Sequence, residues 1–368
     1  MAIVFDKNSK TFFLDGKGIT YAFTVNASGY PEHLYFGKTI AHDPLFFTRS
    51  SGGLSSTPSK PGAFHPFVTY LNVPAELTFF GNSDYREPTV SVTSPTGDRL
   101  TELLFDGYEI LPEKPRISGM PSLSGGETLV LHLLDRFSLF AADLYYTVYD
   151  DAAVIARRIV YRNLSEIPLR LDRAYSFALT LPENHYDLLS LEGAWAAERK
   201  IERTPMRHGV CSIDSKRATS SSVLNPFLGI LGKDTTETQG DAYGVSLVYS
   251  SSYVLKAQGL ANGESLILGG INDFGFSWEL APGAGFETPE AVIAYSDEGL
   301  GGMSRAFHDA FRSHLIPADK VHTHRPLLIN NWEGTYFNFT PEKLIAIMDA
   351  VKDTGIDTFV LGDGWFGV

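Results

Sequence analysis

The sequence predicts a mostly β protein: a large antiparallel β-sandwich, then a helical linker, then the first strand–helix–strand of a truncated (β/α)₈ barrel. Three observations predict it. Short β-type runs separated by turn clusters fill the chain to about residue 300, one amphipathic helix follows, and residues 326–368 read as strand, helix, strand. The expected organisation is therefore a sandwich domain over 1–300, a linker over 301–325 and the start of a barrel over 326–368.

The sandwich rests on runs such as 19–24 (ITYAFT), 129–134 (LVLHLL), 144–148 (LYYTV), 154–161 (VIARRIVY), 243–249 (YGVSLVY) and 290–295 (EAVIAY). Alternation at Val154, Ala156, Arg158 and Val160, and again at Leu169, Leu171 and Arg173, predicts half-buried antiparallel strands. The 34 glycines and 20 prolines supply the turns that so many short strands need. Helical period is nearly absent before residue 300. It then appears in 302–315 (GMSRAFHDAFRSHL), where Met303, Phe307, Phe311 and Leu315 fall on one stripe and Pro317 ends the helix. A polar connector, 318–325 (ADKVHTHR), leads into the apolar run 326–332 (PLLINNW). Thr340-Pro341-Glu342 starts a second helix through Lys352, with Leu344, Ile345, Met348 and Val351 as its apolar face. The run 357–361 (DTFVL) then enters Gly362-Asp363-Gly364-Trp365-Phe366. A whole barrel takes about 250 residues, and Trp365 stands near the end of the sequence, so the barrel is expected to be truncated here.

Composition narrows the function classes. Hydrophobic residues make up 43% and charged residues 20%, enough apolar material for a core and against global disorder. A net charge of −13 argues against nucleic acid and anionic membranes as partners, because phosphate recognition needs clustered Lys and Arg. The one cysteine, Cys211, excludes an intramolecular disulfide and has no base near it in sequence. The opening 1–16 shows no signal-peptide pattern, and no apolar run approaches the ~20 residues of a membrane span. A cytoplasmic location is the expectation.

Candidate chemistry gathers where the two late strands end. Asp363 is flanked by glycines that let its carboxylate approach a ligand, and Trp365 and Phe366 offer apolar faces beside it. Aromatic faces pack on sugar C–H groups while carboxylates accept from hydroxyls. The same spacing also fits a β-turn in which Asp363 caps a following helix. Asn330-Asn331-Trp332-Glu333 carries the same two readings: a sugar-facing amide and indole set, or a buried Trp with amides satisfying a barrel rim. Trp195 lies in the polar segment 191–203 (LEGAWAAERKIER), as a ligand or subunit contact or packed on its own sheet. His322-Thr323-His324 lacks a third ligand at useful spacing, so no metal or cofactor is expected.

Taken together, GNSDYREP (81–88), KPRISGMP (114–121), GAW (193–195), RKIER (199–203), NPF (225–227), YGVSLVYS (243–250), YSDEGLGGMS (295–304), NNWEGTYF (330–337) and GDGWFG (362–367) occur in an order that resembles the N-terminal half of bacterial α-galactosidases of glycoside hydrolase family 36. The resemblance implies a β-supersandwich, a (β/α)₈ catalytic barrel and a small C-terminal β-domain, usually as a homotetramer. It implies retaining hydrolysis of terminal α-galactosides such as melibiose and raffinose, without cofactor, through a carboxylate nucleophile and an acid/base on later barrel strands. Neither catalytic role is therefore assigned here, and the 368-residue chain alone is expected to be inactive. Trp332 and Asp363 correspond to residues gripping the terminal galactose, with Trp365 beside them. Trp195 corresponds to the N-domain tryptophan that reaches a substrate, in the tetramer a neighbour's. Two departures stand out: the family's Asp-Asp-Gly-Trp is Gly362-Asp363-Gly364-Trp365 here, and its sugar-contacting acid near position 50 has no match in 48–54 (TRSSGGL). The alternative is a non-catalytic β-sandwich module for carbohydrate binding or oligomerisation.

Overall fold

A computed structural model of the protein describes residues 2–42, 70–81 and 84–366. The chain divides into two compact units, Met1–Leu315 and Ile316–Val368.

The first unit is built from antiparallel sheets, as the alternating runs predict. Ile3–Asp6, Thr11–Gly16, Ile19–Val25 and Pro31–Lys38 form a four-stranded meander. A ten-stranded sheet runs from the hairpin Asp187–Ala194/Ala197–Pro205 at one edge to Leu104–Leu111 at the other, with Val154–Asn163 near its middle. A six-stranded sheet is organised on the 13-residue strand Leu169–Leu181. All three sheets contribute to one core: Phe12, Tyr21 and Phe23 from the meander, Leu131, Tyr146 and Ile155 from the large sheet, Leu171, Phe177 and Leu255 from the third.

Val154–Asn163 departs from the half-buried expectation. Ile155 and Ile159 face the main core, while Val154 and Ala156 face a second cluster under the helix Gly299–Ala310. Both faces are covered, so even Arg157 and Arg158 are buried. Arg157 is compensated by Glu76, whose carboxylate also accepts from Tyr21 (2.8 Å) and Tyr146 (2.8 Å) and faces His33 Nδ1 at 2.7 Å. Burial alone would raise the Glu76 pKa. The Arg157 charge and the hydrogen bonds from His33 and Tyr21 outweigh it and hold the group below the ordinary carboxylate range.

The helix Gly299–Ala310 sits on the large sheet through Met303, Ala306, Phe307 and Ala310. It can come this close because of Gly244: a Cβ there would lie 2.7 Å from both Met303 Sδ and Phe307 Cε2. Its last turn, Phe311–Leu315, widens into a π-helical turn. Among the described residues no helix is long and apolar enough to cross a membrane.

The second unit carries two short parallel strands, Leu328–Asn330 and Thr358–Val360, with the helix Pro341–Val351 between them in sequence. Thr340 Oγ1 accepts from Lys343 N and proline occupies the first turn, an N-terminus of the kind the sequence signals. The helix turns Leu344, Ile347 and Val351 inward, whereas Ile345 and Met348 are largely exposed. The apolar face expected from Leu344, Ile345, Met348 and Val351 is thus rotated, with Ile347 in place of its neighbours.

Candidate functional site

The two parallel strands end side by side. Leu328 pairs with Thr358, Ile329 with Phe359 and Asn330 with Val360, so Asn331-Trp332 and Gly362-Asp363 leave the sheet in the same direction. Trp332 then opens a single helical turn, Trp332–Thr335, with its N–H donated to Asn330 Oδ1 at 2.7 Å. Asn331 is the one fully buried residue among the described residues of this unit. Its Oδ1 accepts from Gly362 N at 2.8 Å and its Nδ2 donates to Thr335 Oγ1 at 3.0 Å.

An aromatic contact path joins the two strand ends. The Trp332 ring lies edge-on to Phe337 at 5.0 Å and to Tyr336 at 5.3 Å. Phe337 and Phe339 in turn press on Gly364, where a Cβ would come within 3.0 and 3.1 Å of their rings. Gly364 also has φ +93°, so a side chain at this position would be both crowded and strained. Asp363, between the two glycines, is exposed; Trp365 is 64% exposed and meets Phe366 at 5.6 Å. Trp332, Asp363 and Trp365 therefore come from neighbouring strand ends of one unit. The assembly offers an open carboxylate, an exposed amide at Asn330 and several exposed ring faces, groups that suit a ligand dense in hydroxyls and C–H.

Other residues singled out in the sequence lie elsewhere. Trp195 belongs to the first unit, at the tip of the hairpin Asp187–Ala194/Ala197–Pro205 and followed by Ala196 at φ +60°. It is 85% exposed and does not pack on its own sheet. His324 Nε2 is 2.8 Å from Asp357 Oδ2, at the start of the last strand and so at the opposite end from Asp363. The hydrogen bonds from His324 and from Thr358 lower the Asp357 pKa. Cys211 packs partly buried against the sandwich core. Among the described residues no group of three or more His, Cys, Asp and Glu side chains is gathered as a metal site. Positions 48–54, where the sugar-contacting acid was sought, lie outside the described residues.

Comparison with known proteins bears on the whole chain. The glycosyl hydrolase family 36 N-terminal domain matches residues 29–281, and the melibiase family matches residues 285–368. The α-galactosidase AgaA of Geobacillus stearothermophilus is 36% identical over 374 residues, taking in 100% of this chain and 51% of the relative. The α-galactosidase Mel36A of Lactobacillus acidophilus is 34% identical over 372 residues, 99% of this chain and 50% of the relative. Among solved structures, the family 36 α-galactosidase AgaB of Geobacillus stearothermophilus superposes with a TM-score of 0.93 at 36% identity, over 100% of this chain and 51% of that one. An AgaA variant in complex with raffinose gives a TM-score of 0.91 at 36% identity, over 97% of this chain and 50% of that one. The chain spans about half the length of the curated relatives it matches.

Proposed function

We propose a role in binding terminal α-galactosides from one premise: the chain belongs to glycosyl hydrolase family 36. The function is that of an α-galactosidase, a retaining glycosidase acting on raffinose- or melibiose-like oligosaccharides. The 368 residues supply the sandwich and the first strands of its catalytic barrel. The observation that carries this reading is the pair of strand ends joined through Asn331, one bearing Trp332 and the other Asp363 and Trp365.

The roles follow from the chemistry of the groups. The Trp332 and Trp365 rings present flat faces to the axial C–H side of a pyranose, and the Asp363 carboxylate accepts from sugar hydroxyls, a charge-assisted bond worth about 1.5–3 kcal/mol. Trp195, projecting from its hairpin tip, serves the substrate site of a neighbouring copy in a homo-oligomer, a tetramer by analogy with the intact family. The nucleophile and the acid/base, which retention places about 5–5.5 Å apart, are assigned to no Asp or Glu of this chain. A cytoplasmic location suits a glycosidase acting on imported oligosaccharide.

Isothermal titration calorimetry of the 368-residue chain with raffinose tests the reading. Saturable binding that is lost in Asp363→Asn and Trp332→Ala is expected, with no turnover of p-nitrophenyl α-galactoside above background. Absence of binding by the folded chain would refute the subsite assignment, and turnover would refute the assignment of catalysis to residues outside it.

A further inference from the structure

The strand ends contain one residue that the proposed sugar contacts do not use and that the geometry nonetheless singles out. Asn331 is 0% exposed in a unit whose other described residues are all at least partly open to solvent. A buried side-chain amide is costly unless its donor and acceptor are both satisfied. Here each is. The backbone ladder between the two strands ends at Asn330–Val360, followed by Asn331 N donating to Val360 O at 3.3 Å. The next rung is made by the side chain: Gly362 N donates to Asn331 Oδ1 at 2.8 Å.

The orientation of that amide is fixed from the other side. Thr335 Oγ1 gives its proton to the Asn331 carbonyl at 3.1 Å, which leaves the hydroxyl oxygen to accept from Asn331 Nδ2 at 3.0 Å. With Nδ2 facing Thr335, Oδ1 faces Gly362. The backbone of Asn331 leads directly into Trp332, and its side chain holds the N–H of Gly362, the residue directly before Asp363. One residue thus sets the spacing between the two groups that the proposed function assigns to the sugar.

We infer that Asn331 is a positioning residue: its amide extends the parallel ladder by one rung and fixes Asp363 relative to Trp332, touching no substrate itself. The inference rests on the galactoside reading for its consequence, not for its geometry. Misplacing a binding group by about 1 Å can cost on the order of 100-fold, so a small sag of the Gly362 peptide is enough to be read in affinity.

The test compares Asn331→Ala, Asn331→Asp and Thr335→Val in the full 368-residue chain, following Gly362 amide exchange by NMR and raffinose affinity by calorimetry. Asn331→Asp keeps an oxygen facing Gly362 N and is expected to preserve slow exchange and most of the affinity. Asn331→Ala is expected to release the Gly362 amide to the exchange rate of its exposed neighbours and to weaken raffinose about 10- to 100-fold, with the melting of the first unit unchanged. Thr335→Val frees the amide to turn and is expected to fall between them, and it keeps the test open if the alanine variant does not fold. A protected Gly362 amide in Asn331→Ala overturns the inference, as does unchanged affinity alongside a released amide. If the unaltered chain binds no raffinose, the galactoside reading fails, and the Gly362 exchange rate alone still decides whether Asn331 holds the peptide.

Discussion

At residue scale the strongest commitments of the sandwich are buried charges. Glu76 has no solvent exposure and is bound by Arg157, His33, Tyr21 and Tyr146. Glu76→Gln removes the charge but not the bulk and leaves the Arg157 guanidinium buried without its counter-ion. Breaking such a pair costs about 3–5 kcal/mol, a loss that urea denaturation of the variant should report. The same group gives a pH dependence. Because folded Glu76 titrates below the ordinary glutamate value of about 4.3, its contribution is complete above that value and is lost as pH falls through the folded pKa. Stability of the unaltered chain should therefore drop more steeply below about pH 4.3 than that of Glu76→Gln; parallel profiles would count against Glu76 as the titrating group. Gly362 offers a second residue-scale prediction. An aspartate there, as in the family, would place its Cβ 2.7 Å from Asn330 Oδ1, so the Asn330 amide must swing away and release Trp332 N. That amide is the end of a flexible side chain and can yield. Gly362→Asp should then tighten raffinose, by up to the roughly 1.5–3 kcal/mol of a charge-assisted bond less the lost one, as measured by calorimetry; unchanged affinity would mean the second carboxylate has no sugar contact to make. The sequence signalled neither partner set. Arg157 and Arg158 stand in an apolar run, but nothing local pointed to Glu76, which lies outside the strands and meets Arg157 only in the folded core.

At element scale, what was legible depended on periodicity. Ile19–Val25 was readable because alternation and β-branched content agree, and Ala291–Ser296, buried at five consecutive positions, was readable as a short continuous apolar run. The helix on the sandwich was readable too, with one instructive difference. Residues at i, i+4, i+8 and i+12 drift by about 40° per step around a helix of 3.6 residues per turn, so Met303, Phe307, Phe311 and Leu315 would spread over about 120° of a straight helix. The π-helical turn Phe311–Leu315 winds more slowly and corrects part of that drift, which lets Phe311 and Leu315 remain packed against the second core cluster. The helix reaches the sheet only because position 244 carries no side chain. Gly244→Val should drive its methyls into Met303 and Phe307 and cost about 1–3 kcal/mol as an overpacked contact, seen as a lowered urea midpoint with an unchanged slope. Several sequence signatures that identified the family have roles of this kind. Arg86 of 81–88 is buried in a double contact to Asp84 and bonds to the carbonyls of Val73 and Tyr70. Lys114 of 114–121 is buried against Glu290. These motifs identify the fold because they hold it, and they say little about ligand.

At the scale of the whole molecule, the distribution of buried residues separates the two units. Every hydrophobic cluster among the described residues is contained between Ala2 and Leu315. Among the described residues of the second unit one is buried, an asparagine, and the unit's two strands are three residues each. Apolar burial is the main favourable term in folding and local opening costs least where few apolar contacts are made, so the units should differ in protection. Hydrogen exchange followed by mass spectrometry should find peptides from 127–163 and 253–271 exchanging slowly, near the limit of global unfolding, while peptides from 326–366 exchange orders of magnitude faster. This contrast also explains which half of the site could be read in advance. Trp332, Asp363 and Trp365 could be singled out as candidates because residue type at a strand's C-terminal end carries the chemical hint by itself. Asn331 was not, because Asn330 and Asn331 are the same residue type at adjacent positions, and only the pleat decides which amide is exposed and which turns inward to Gly362. The exchange experiment addresses that distinction too: within the fast-exchanging unit the Gly362 amide should be slower than those of Asp363 and Trp365, since it alone of the three donates to a buried acceptor. Uniform exchange across 362–365 would show that the inward amide does not hold in solution. Equal protection of both units would show that the second has an apolar partner surface beyond the contacts described within it.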